Sequence, residues 1–269
     1  MNTIAFIGGG NMASAIIGGL LKSGRSPGDI LVLEPNAEQR SRLQRDLSVI
    51  TLEAPGSVLQ RAAIVVWAIK PQSFKAAAEA NLPHIEKALQ FSVMAGIRSD
   101  DMAKALGTRR IVRSMPNTPA LIGQGIAGLY ARPEVTALER KDIERLLAPT
   151  GRTLWVNAEA DLDAVTALSG SGPAYVFYFV EAMMQAAVEM GLSEEQDKQL
   201  ALATFMGSAA LAQASNDPPA VLRERVTSKG GTTYAALTSM ETSGVKNAIV
   251  KALKAAQRRA TELGDEFGQ

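Results

Sequence analysis

The residues near the start of the chain that could do chemistry are the glycines of a short turn. Four apolar residues at positions 4–7 are typical of a strand buried on both faces, and Gly8 and Gly10 follow directly. A segment with helical spacing of apolar residues comes next and contains Ala13. Unpaired N–H groups at such a strand-to-helix turn favour a phosphate, so the pattern predicts a dinucleotide site. The alternative is a tight turn with close helix packing. The predicted contacts are Gly8, Gly10, Asn11, Met12 and Ala13.

An acidic residue follows the second apolar run of the chain. Glu34 ends the predicted strand Ile30–Leu33, about 20 residues past the glycine turn, where a carboxylate binds the ribose hydroxyls of NAD. Such a carboxylate repels a 2′-phosphate, although Arg40 and Arg42 on the next helix could partly offset the repulsion. An exposed glutamate at a strand end is the alternative, so the choice between NADH and NADPH stays open. Asn36 is the predicted N-cap of that helix, with Gln39 as its capping-box partner.

Two further strands should end at the same edge of a sheet. The run at residues 64–69 is the clearest buried strand, and Lys70 and Pro71 stop it. In an open parallel sheet, ligands bind beyond the carboxyl ends of the strands, so we expect residues 68–71 to face the cofactor. The predicted strand Ile111–Met115 delivers the segment at residues 116–119 to this edge, and that segment could equally be only a rigid turn. The residues predicted here to face the cofactor are Ala68, Ile69, Lys70 and Pro71.

A second candidate site lies near the end of the chain, at residues 226–233. Gly230 and Gly231 are flanked by hydroxyl residues and precede a predicted helix at residues 232–240. The N–H groups of such a loop can converge on an anion such as a carboxylate. Ordinary helix capping explains one threonine, but not four hydroxyls and a glycine pair within seven residues.

The elements that carry these sites change in character along the chain. Strands alternate with helices up to residue 157, in the manner of a βαβ series, and helical periodicity takes over from about Glu159. We therefore expect one domain at residues 1–157 and a second at residues 158–269. The helical pattern at residues 161–168 is interrupted by a Ser-Gly-Ser-Gly-Pro segment. The helix at residues 175–188 is apolar nearly all round, so it must be buried on every side, and a second subunit should cover it.

Composition excludes several classes of function. The 269 residues include 28 basic and 27 acidic side chains, so no strong field favours nucleic acid or an anionic membrane. There is no cysteine, and the lone His84 cannot form a metal cluster, so we expect no metal site. His84 follows Pro83 near a predicted helix start and is typical of a solvated surface histidine. We see no secretion signal, and the apolar run at residues 62–69 is far too short to span a membrane. These features favour a cytoplasmic protein.

Together these motifs resemble pyrroline-5-carboxylate reductase, which reduces a cyclic imine to proline. The resemblance spans essentially the whole chain and is carried by the Gly8 turn and by residues 68–71, 113–119, 168–175 and 219–241. It implies an α/β protein with an N-terminal Rossmann-type doubly wound sheet, followed by an all-α C-terminal dimerisation domain. It also implies NADPH or NADH as the reductant, 1-pyrroline-5-carboxylate as the substrate, and a homodimer that can assemble into a larger ring.

The resemblance assigns roles to individual residues. It implies that the nicotinamide lies between Ala95, Asn117 and the Lys70-Pro71 pair. The imine would lie against the loop at residues 228–233 of the helical domain, across the dimer, with the Thr233 hydroxyl beside the imine nitrogen as the catalytic group. The substrate-binding residues that it implies are Ser171, Ser228, Gly230, Gly231, Thr232 and Thr233.

The chain departs from the family pattern at two places. Lys229 replaces a proline that is common in this loop, which loosens it or brings a cation near the substrate carboxylate. Glu34 and Pro35 replace an Asn-Arg pair of some relatives, which removes an arginine that would hold a 2′-phosphate.

Two alternatives come from other classes of protein. One is a β-hydroxyacid dehydrogenase or an imine reductase of the same superfamily, with Lys70 catalytic. The other is a non-catalytic regulator that binds a dinucleotide. The hydroxyl-rich loop around Gly230 disfavours both, because neither needs it.

Overall fold

A computed structural model describes residues 3–267 of the chain. By their contacts, the described residues form two compact units. The first contains the residues up to Ser171 together with those from Ala256 onward, and the second is Gly172–Ala255. The last turns of the chain therefore belong to the unit of the N-terminal residues, although they follow the second unit in sequence.

The first unit is built on a sheet of eight strands, counted over the described residues, in the order β3-β2-β1-β4-β5-β6-β7-β8. Neighbouring strands pair in parallel except β6 and β7, which are antiparallel. The carboxyl ends of β1, β2, β4 and β5 therefore meet at one edge. The strands are β1 (Thr3–Ile7), β2 (Ile30–Leu33), β3 (Ile50–Leu52), β4 (Ala62–Trp67), β5 (Leu89–Ser92), β6 (Ile111–Met115), β7 (Gly125–Ala131) and β8 (Gly151–Trp155).

Helices cover both faces of this sheet. They are α1 (Asn11–Lys22), α2 (Ala37–Leu47), α3 (Phe74–Ile85), α4 (Ser99–Leu106), α5 (Ala137–Leu147) and α6 (Asp161–Val165). Successive strand residues point to opposite faces, so Phe6 packs in a core with α1, α2 and α5. Its neighbours Ala5 and Ile7 pack in a second core with α3 and α4. This confirms the predicted doubly wound arrangement.

The sequence predicts a short strand at residues 91–95, whereas β5 ends at Ser92 and begins earlier, at Leu89. The reason is Gln90, which is fully buried inside the strand. Its Oε1 accepts a hydrogen bond of 2.8 Å from Trp67 Nε1, and its Nε2 donates to the carbonyls of Ile85 and Ala88. A buried polar side chain is tolerated when its hydrogen bonds are made, which an apolar pattern cannot register.

The spacing of apolar residues predicts a helix from about residue 73 to residue 80, but α3 extends to Ile85 and includes Pro83 in its last turn. His84 therefore lies at the end of this helix and not near a helix start, which corrects the prediction. It is half-buried, and its Nδ1 is buried without a hydrogen-bond partner among the described residues.

The capping box predicted for α2 is only half formed. Asn36 Oδ1 accepts from the N–H of Gln39 at 2.9 Å, as expected of an N-cap. The Gln39 side chain does not return to Asn36 but donates to the carbonyl of Gly9 in the glycine turn. The N–H of Asn36 is bonded instead to Glu34 Oε1 at 3.0 Å.

The Ser-Gly-Ser-Gly segment does not interrupt the helical path as predicted. Residues Thr166–Gly170 form a π-helix directly after α6, and the N–H of Ser171 donates to the carbonyl of Thr166 at 2.8 Å. The next helix starts at Gly172. The wider turn brings Gly170 so close to Met115 that a Cβ on the glycine would lie 2.4 Å from Met115 Cε.

The second unit contains only helices among its described elements. They are α7 (Gly172–Glu189), α8 (Glu194–Ala214), α9 (Pro219–Arg225), α10 (Thr232–Thr242) and the first part of α11 (Val245–Phe267). Helix α9 was not predicted, since it has only seven residues. Gly191 ends α7 with φ +94, the left-handed conformation expected of the residue after a helix.

Helix α7 is not buried on every side within one chain. Val180 and Ala187 are buried, whereas Phe177 and Tyr178 are 60% and 72% exposed. Large apolar side chains are also exposed on α8, including Met206 and Leu211. Exposed apolar area on this scale marks a surface that another protein covers.

The two units divide the chain by contacts, whereas the predicted domains divide it by type of secondary structure. Helix α6 and the end of α11 belong to the unit of the sheet, because they pack on it; Val165 of α6, for example, lies against Gly128 of β7. The boundary at residues 157 and 158 stays a prediction. Among residues 3–267, no helix is long and apolar enough to cross a membrane.

Glu159 joins two elements of the first unit, β6 and α4. Its Oε1 accepts from Arg113 Nη1 of β6 at 2.7 Å and from the N–H of Ser99 at 2.6 Å, and its Oε2 accepts from Ser99 Oγ at 2.6 Å. A carboxylate distant in sequence therefore satisfies the first turn of α4 and pairs with an arginine side chain that is only 7% exposed. Arg132 reaches the same serine and also binds Asp100, and its hydrogen bond lowers the pKa of Asp100 below the ordinary value.

We expect Glu159→Ala to lower the free energy of unfolding by about 3 kcal/mol, because it leaves a buried arginine without a partner. The control is Asp142→Ala, which removes a surface pair with Arg145 and should change stability by less than about 1 kcal/mol. Thermal melts of both variants test this. Equal melting temperatures for the two would contradict the structural role of Glu159.

Candidate active site

The glycine turn lies in close contact with neighbouring segments of the chain. Gly8 follows β1 with φ +96, and its N–H donates to the carbonyl of Leu33 at 2.8 Å. A Cβ on Gly8 would lie 2.6 Å from the carbonyl oxygen of Ala68, and one on Gly9 would lie 2.4 Å from Leu43 Cδ1. Both positions therefore need glycine for packing, as the alternative interpretation of the motif proposed.

Gly10 has a different environment, which packing does not explain. It is the N-cap of α1, no side chain caps the helix, and a Cβ here would meet nothing within 4 Å. The first turn of α1 therefore has no side-chain cap and begins beside open space at Gly10, where the helix dipole attracts an anion. Ala13 is buried in the core and Met12 is half-buried, so these two offer a ligand only their backbone. The cradle fits the pyrophosphate of a dinucleotide.

Glu34 is held rigidly beside this turn. Its Oε2 accepts from the N–H of Gly9 at 2.9 Å, and its Oε1 accepts from the N–H of Asn36 at 3.0 Å. Each carboxylate oxygen keeps further acceptor capacity, so the group can still bind hydroxyls.

The arginines of α2 are engaged elsewhere. Arg40 Nη1 donates to the carbonyls of Glu34 and Pro35, and its Nη2 pairs with Glu53 at 3.2 Å. Arg42 pairs with Asp46. The structure therefore gives no support to the expectation that they offset the negative charge of Glu34.

A groove of about 480 Å³ lies along the carboxyl edge of the sheet, within the first unit. It brings together Gly8, Gly10, Glu34, Ala68, Ile69 and Lys70, all of which the sequence predicted. It does not include Asn11, Met12, Ala13, Pro71, Ala95 or Asn117 among its lining residues.

Sequence reasoning missed one side of the groove. Ala77, Ala80 and Asn81 line it from α3, and Pro55 lines it after β3. Asn81 is 1% exposed; its Nδ2 donates to the carbonyl of Ala77, while its Oδ1 has no partner among the described residues. The small residues spaced along α3 were the available signal, since they leave room beside the strand ends.

Asn117 has structural partners within the first unit. Its Oδ1 accepts from the N–H of Ile126 at 3.0 Å, and its Nδ2 donates to Ser169 Oγ at 3.2 Å. The side-chain amide thus ties the end of β6 to β7 and to the π-helix. Its predicted contact with a nicotinamide therefore stays a prediction, as do those of Ala95, which is exposed just past β5, and of Pro71.

The loop before α10 belongs to the second unit. The N–H of Gly231 donates to the carbonyl of Ser228 at 3.0 Å, and Gly230 closes this turn with φ +75. Gly231 is the N-cap of α10 and no side chain caps that helix, so threonine capping does not occur here. Thr232 and Thr233 occupy the first two helical positions, and their hydroxyls have no partner among the described residues.

The neighbours of this loop are placed differently. Thr227 Oγ1 is used locally, because it donates to the carbonyl of Arg223 at 2.6 Å. Ser228 and Lys229 are exposed. Ser171 lies in the first unit, at the end of the π-helix. Residues 3–267 hold no group of three or more acidic, histidine or cysteine side chains that could bind a metal ion.

Two family models match different parts of the chain, and one family of relatives matches nearly all of it. Residues 159–263 match the family model for pyrroline-5-carboxylate reductase dimerisation, and residues 3–96 match that for a coenzyme F420-dependent NADP oxidoreductase. The chain is 42% identical to the pyrroline-5-carboxylate reductase of Pseudomonas aeruginosa over 268 residues, which cover 99% of this chain and 98% of that protein.

Solved structures give the same result. The pyrroline-5-carboxylate reductase of Coxiella burnetii superposes with a TM-score of 0.91 at 35% identity, over 97% of this chain and 98% of that one. The pyrroline carboxylate reductase of Plasmodium falciparum, solved with NADP bound, has a TM-score of 0.88 at 27% identity, with 98% of each chain covered. With this fold, an open phosphate cradle and identity over nearly its whole length, the chain belongs to the pyrroline-5-carboxylate reductase family.

Proposed function

We propose that this chain reduces 1-pyrroline-5-carboxylate to L-proline with NADH or NADPH, in the last step of proline biosynthesis. The observation that carries the proposal is a pair of helix N-termini without side-chain caps, one after the Gly8 turn and one after Gly230 and Gly231. The first fits a pyrophosphate and the second fits a carboxylate. Family membership disfavours a hydroxyacid dehydrogenase or a non-catalytic regulator.

The reduced cofactor supplies a hydride when it is bound. Backbone N–H groups of Gly10, Asn11, Met12 and Ala13 would hold its pyrophosphate, and Glu34 the ribose next to the adenine. Ala68–Pro71, Ala95 and Asn117 are the proposed neighbours of the nicotinamide. The absence of cysteine and the lone histidine are consistent with a reaction that depends on positioning, which can supply about 7–11 kcal/mol of a barrier.

The loop at residues 228–233 is the proposed substrate site. The N–H groups of Gly231, Thr232 and Thr233 hold the carboxylate, with Ser228 and Gly230 in the same loop. Ser171 is a further proposed substrate-binding residue. When the imine carbon accepts a hydride, the nitrogen becomes more basic and needs a proton. The Thr233 hydroxyl, which has no partner among the described residues, can hydrogen-bond that nitrogen or relay the proton through water. Lys229 adds a cation near the carboxylate.

The dimerisation domain indicates a homo-oligomer. We propose an interlocked homodimer that covers the exposed apolar side chains of α7, with larger rings built from such dimers. We also propose residues 158–269 as the domain that dimerises and binds substrate, and the cytoplasm as the location.

Glu34→Gln should raise kcat/KM for NADPH relative to NADH by about tenfold, or ~1.4 kcal/mol, because it removes the charge that repels a 2′-phosphate. The amide oxygen can still accept from the N–H of Gly9, which keeps the contact with the glycine turn, while the hydrogen bond from the N–H of Asn36 is lost. The control is Glu38→Gln, which neutralises an exposed carboxylate in the first turn of α2. Steady-state assays with NADPH and with NADH measure the ratio of the two kcat/KM values. An unchanged ratio in Glu34→Gln would place the carboxylate away from the ribose.

Thr233→Ala should lower kcat by about 10²–10⁴-fold and change substrate KM only modestly, because the backbone donors for the carboxylate remain. Thr233→Ser should recover most of the activity. The control is Thr242→Ala, whose hydroxyl donates to the carbonyl of Thr238 later in the same helix. Melting temperatures are measured on the same preparations. Lowered stability with unchanged kcat would remove Thr233 from the mechanism.

Light scattering at micromolar concentration should show a dimer or a multiple of it and no folded monomer, because one chain leaves much of α7 exposed. A soluble monomer with native helicity by circular dichroism would exclude the interlocked arrangement.

A further inference from the structure

The last two turns of α11 pack against the buried side of the loop between β5 and α4. This loop contains Ala95 and lies at the carboxyl edge of the sheet, where the proposed function places the nicotinamide. Ala95 itself is exposed, while Gly96 has φ +77 and turns the chain toward α4. The part of α11 that contacts the loop belongs to the same compact unit.

The contact with Phe267 is close. A Cβ on Gly96 would lie 2.7 Å from Phe267 Cδ2 and 3.3 Å from the carbonyl oxygen of Leu263, so the loop backbone runs directly against the helix. Phe267 also packs against the core cluster that contains Met94 and Ile97, on either side of the exposed Ala95. Displacement of the ring would therefore release the loop along its buried side.

Arg98, at the end of the same loop, also contacts α11 and pairs with acidic side chains. A Cβ on Gly264 would lie 2.7 Å from Arg98 Nη2, so the guanidinium lies flat against the helix at a residue without a side chain. Arg98 pairs with Asp163 of α6 at 3.5 Å and with Asp265 at 3.6 Å. Thr261 Oγ1 donates to the same Asp163 at 2.9 Å.

We propose that the C-terminal end of α11 is a positioning clamp for the nicotinamide half of the cofactor. Phe267 and Arg98 are its positioning residues, and they act through the backbone of the loop at Ala95 and Gly96. This inference rests on the proposed function, because that function places the nicotinamide beside Ala95. A displacement of about 1 Å at a reacting centre can cost 10²-fold in rate, so a loosened loop affects turnover more than stability.

The test is Phe267→Ala, with Phe267→Leu as a milder variant should the first fail to fold. We expect kcat to fall at least tenfold in Phe267→Ala and less in Phe267→Leu. The affinity for NADH, measured by calorimetry, should fall severalfold. The affinity for ADP-ribose, which lacks the nicotinamide, should stay within twofold, because the glycine turn and Glu34 are distant from the change along the sheet edge.

The control is Glu266→Ala, at the residue that directly precedes Phe267 in α11. It removes a surface ion pair with Arg259 and should leave kcat unchanged. A folded Phe267→Ala or Phe267→Leu variant with unchanged kcat and unchanged NADH affinity would overturn the clamp. Equal losses of NADH and ADP-ribose affinity would also overturn it, since they would mean general damage to the cofactor domain. If the wild type fails to reduce 1-pyrroline-5-carboxylate, the proposed function fails, and the NADH to ADP-ribose comparison still tests the clamp.

Discussion

The close approach of two main chains, at Gly8 and Ala68, is the constraint on which the rest of the cofactor site depends. The carboxyl ends of β1 and β4 are neighbours in a parallel sheet, and the turn after β1 lies directly against the chain that leaves β4. A side chain on Gly8 would overlap the Ala68 carbonyl oxygen. Because glycine permits this contact, α1 begins at the edge of the sheet, and its N-cap Gly10 lines the groove.

The glycines of the motif therefore have different roles. Gly8 and Gly9 are needed for packing, against Ala68 and Leu43, whereas Gly10 is surrounded by open space. The packing interpretation of the motif therefore holds at Gly8 and Gly9, while a phosphate site at Gly10 stays a prediction. Glu34 connects the two roles, since its carboxylate accepts from the N–H of Gly9 and also lines the groove.

The first unit depends on groups that are distant in sequence but meet beneath the cofactor edge. Glu159 satisfies the start of α4 and neutralises Arg113, and Arg98 ties the loop before α4 to α6 and to the end of α11. Together they fix the loop after β5 from its buried side. A reaction that relies on placing two reactants in contact requires such rigidity, because errors of position cost rate directly.

The sequence by itself determined the elements whose signals are local. The bounds of β2 and β6 match the predictions, because the residues that indicate each strand are consecutive in the sequence. The Gly8 turn, Glu34 and residues 68–70 were placed correctly in one groove, because carboxyl ends of parallel strands must share an edge.

Only the tertiary structure decided the partners of polar side chains. The buried Gln90 accepts a hydrogen bond from Trp67, and Gln39 donates to Gly9 instead of completing a capping box. Asn117 binds Ile126 of β7 and Ser169. The spacing of residues in the sequence does not encode these partners. The same holds for the wide turn after α6 and for the packing of Phe267 on Gly96, since contacts between distant segments arise only when the chain is folded.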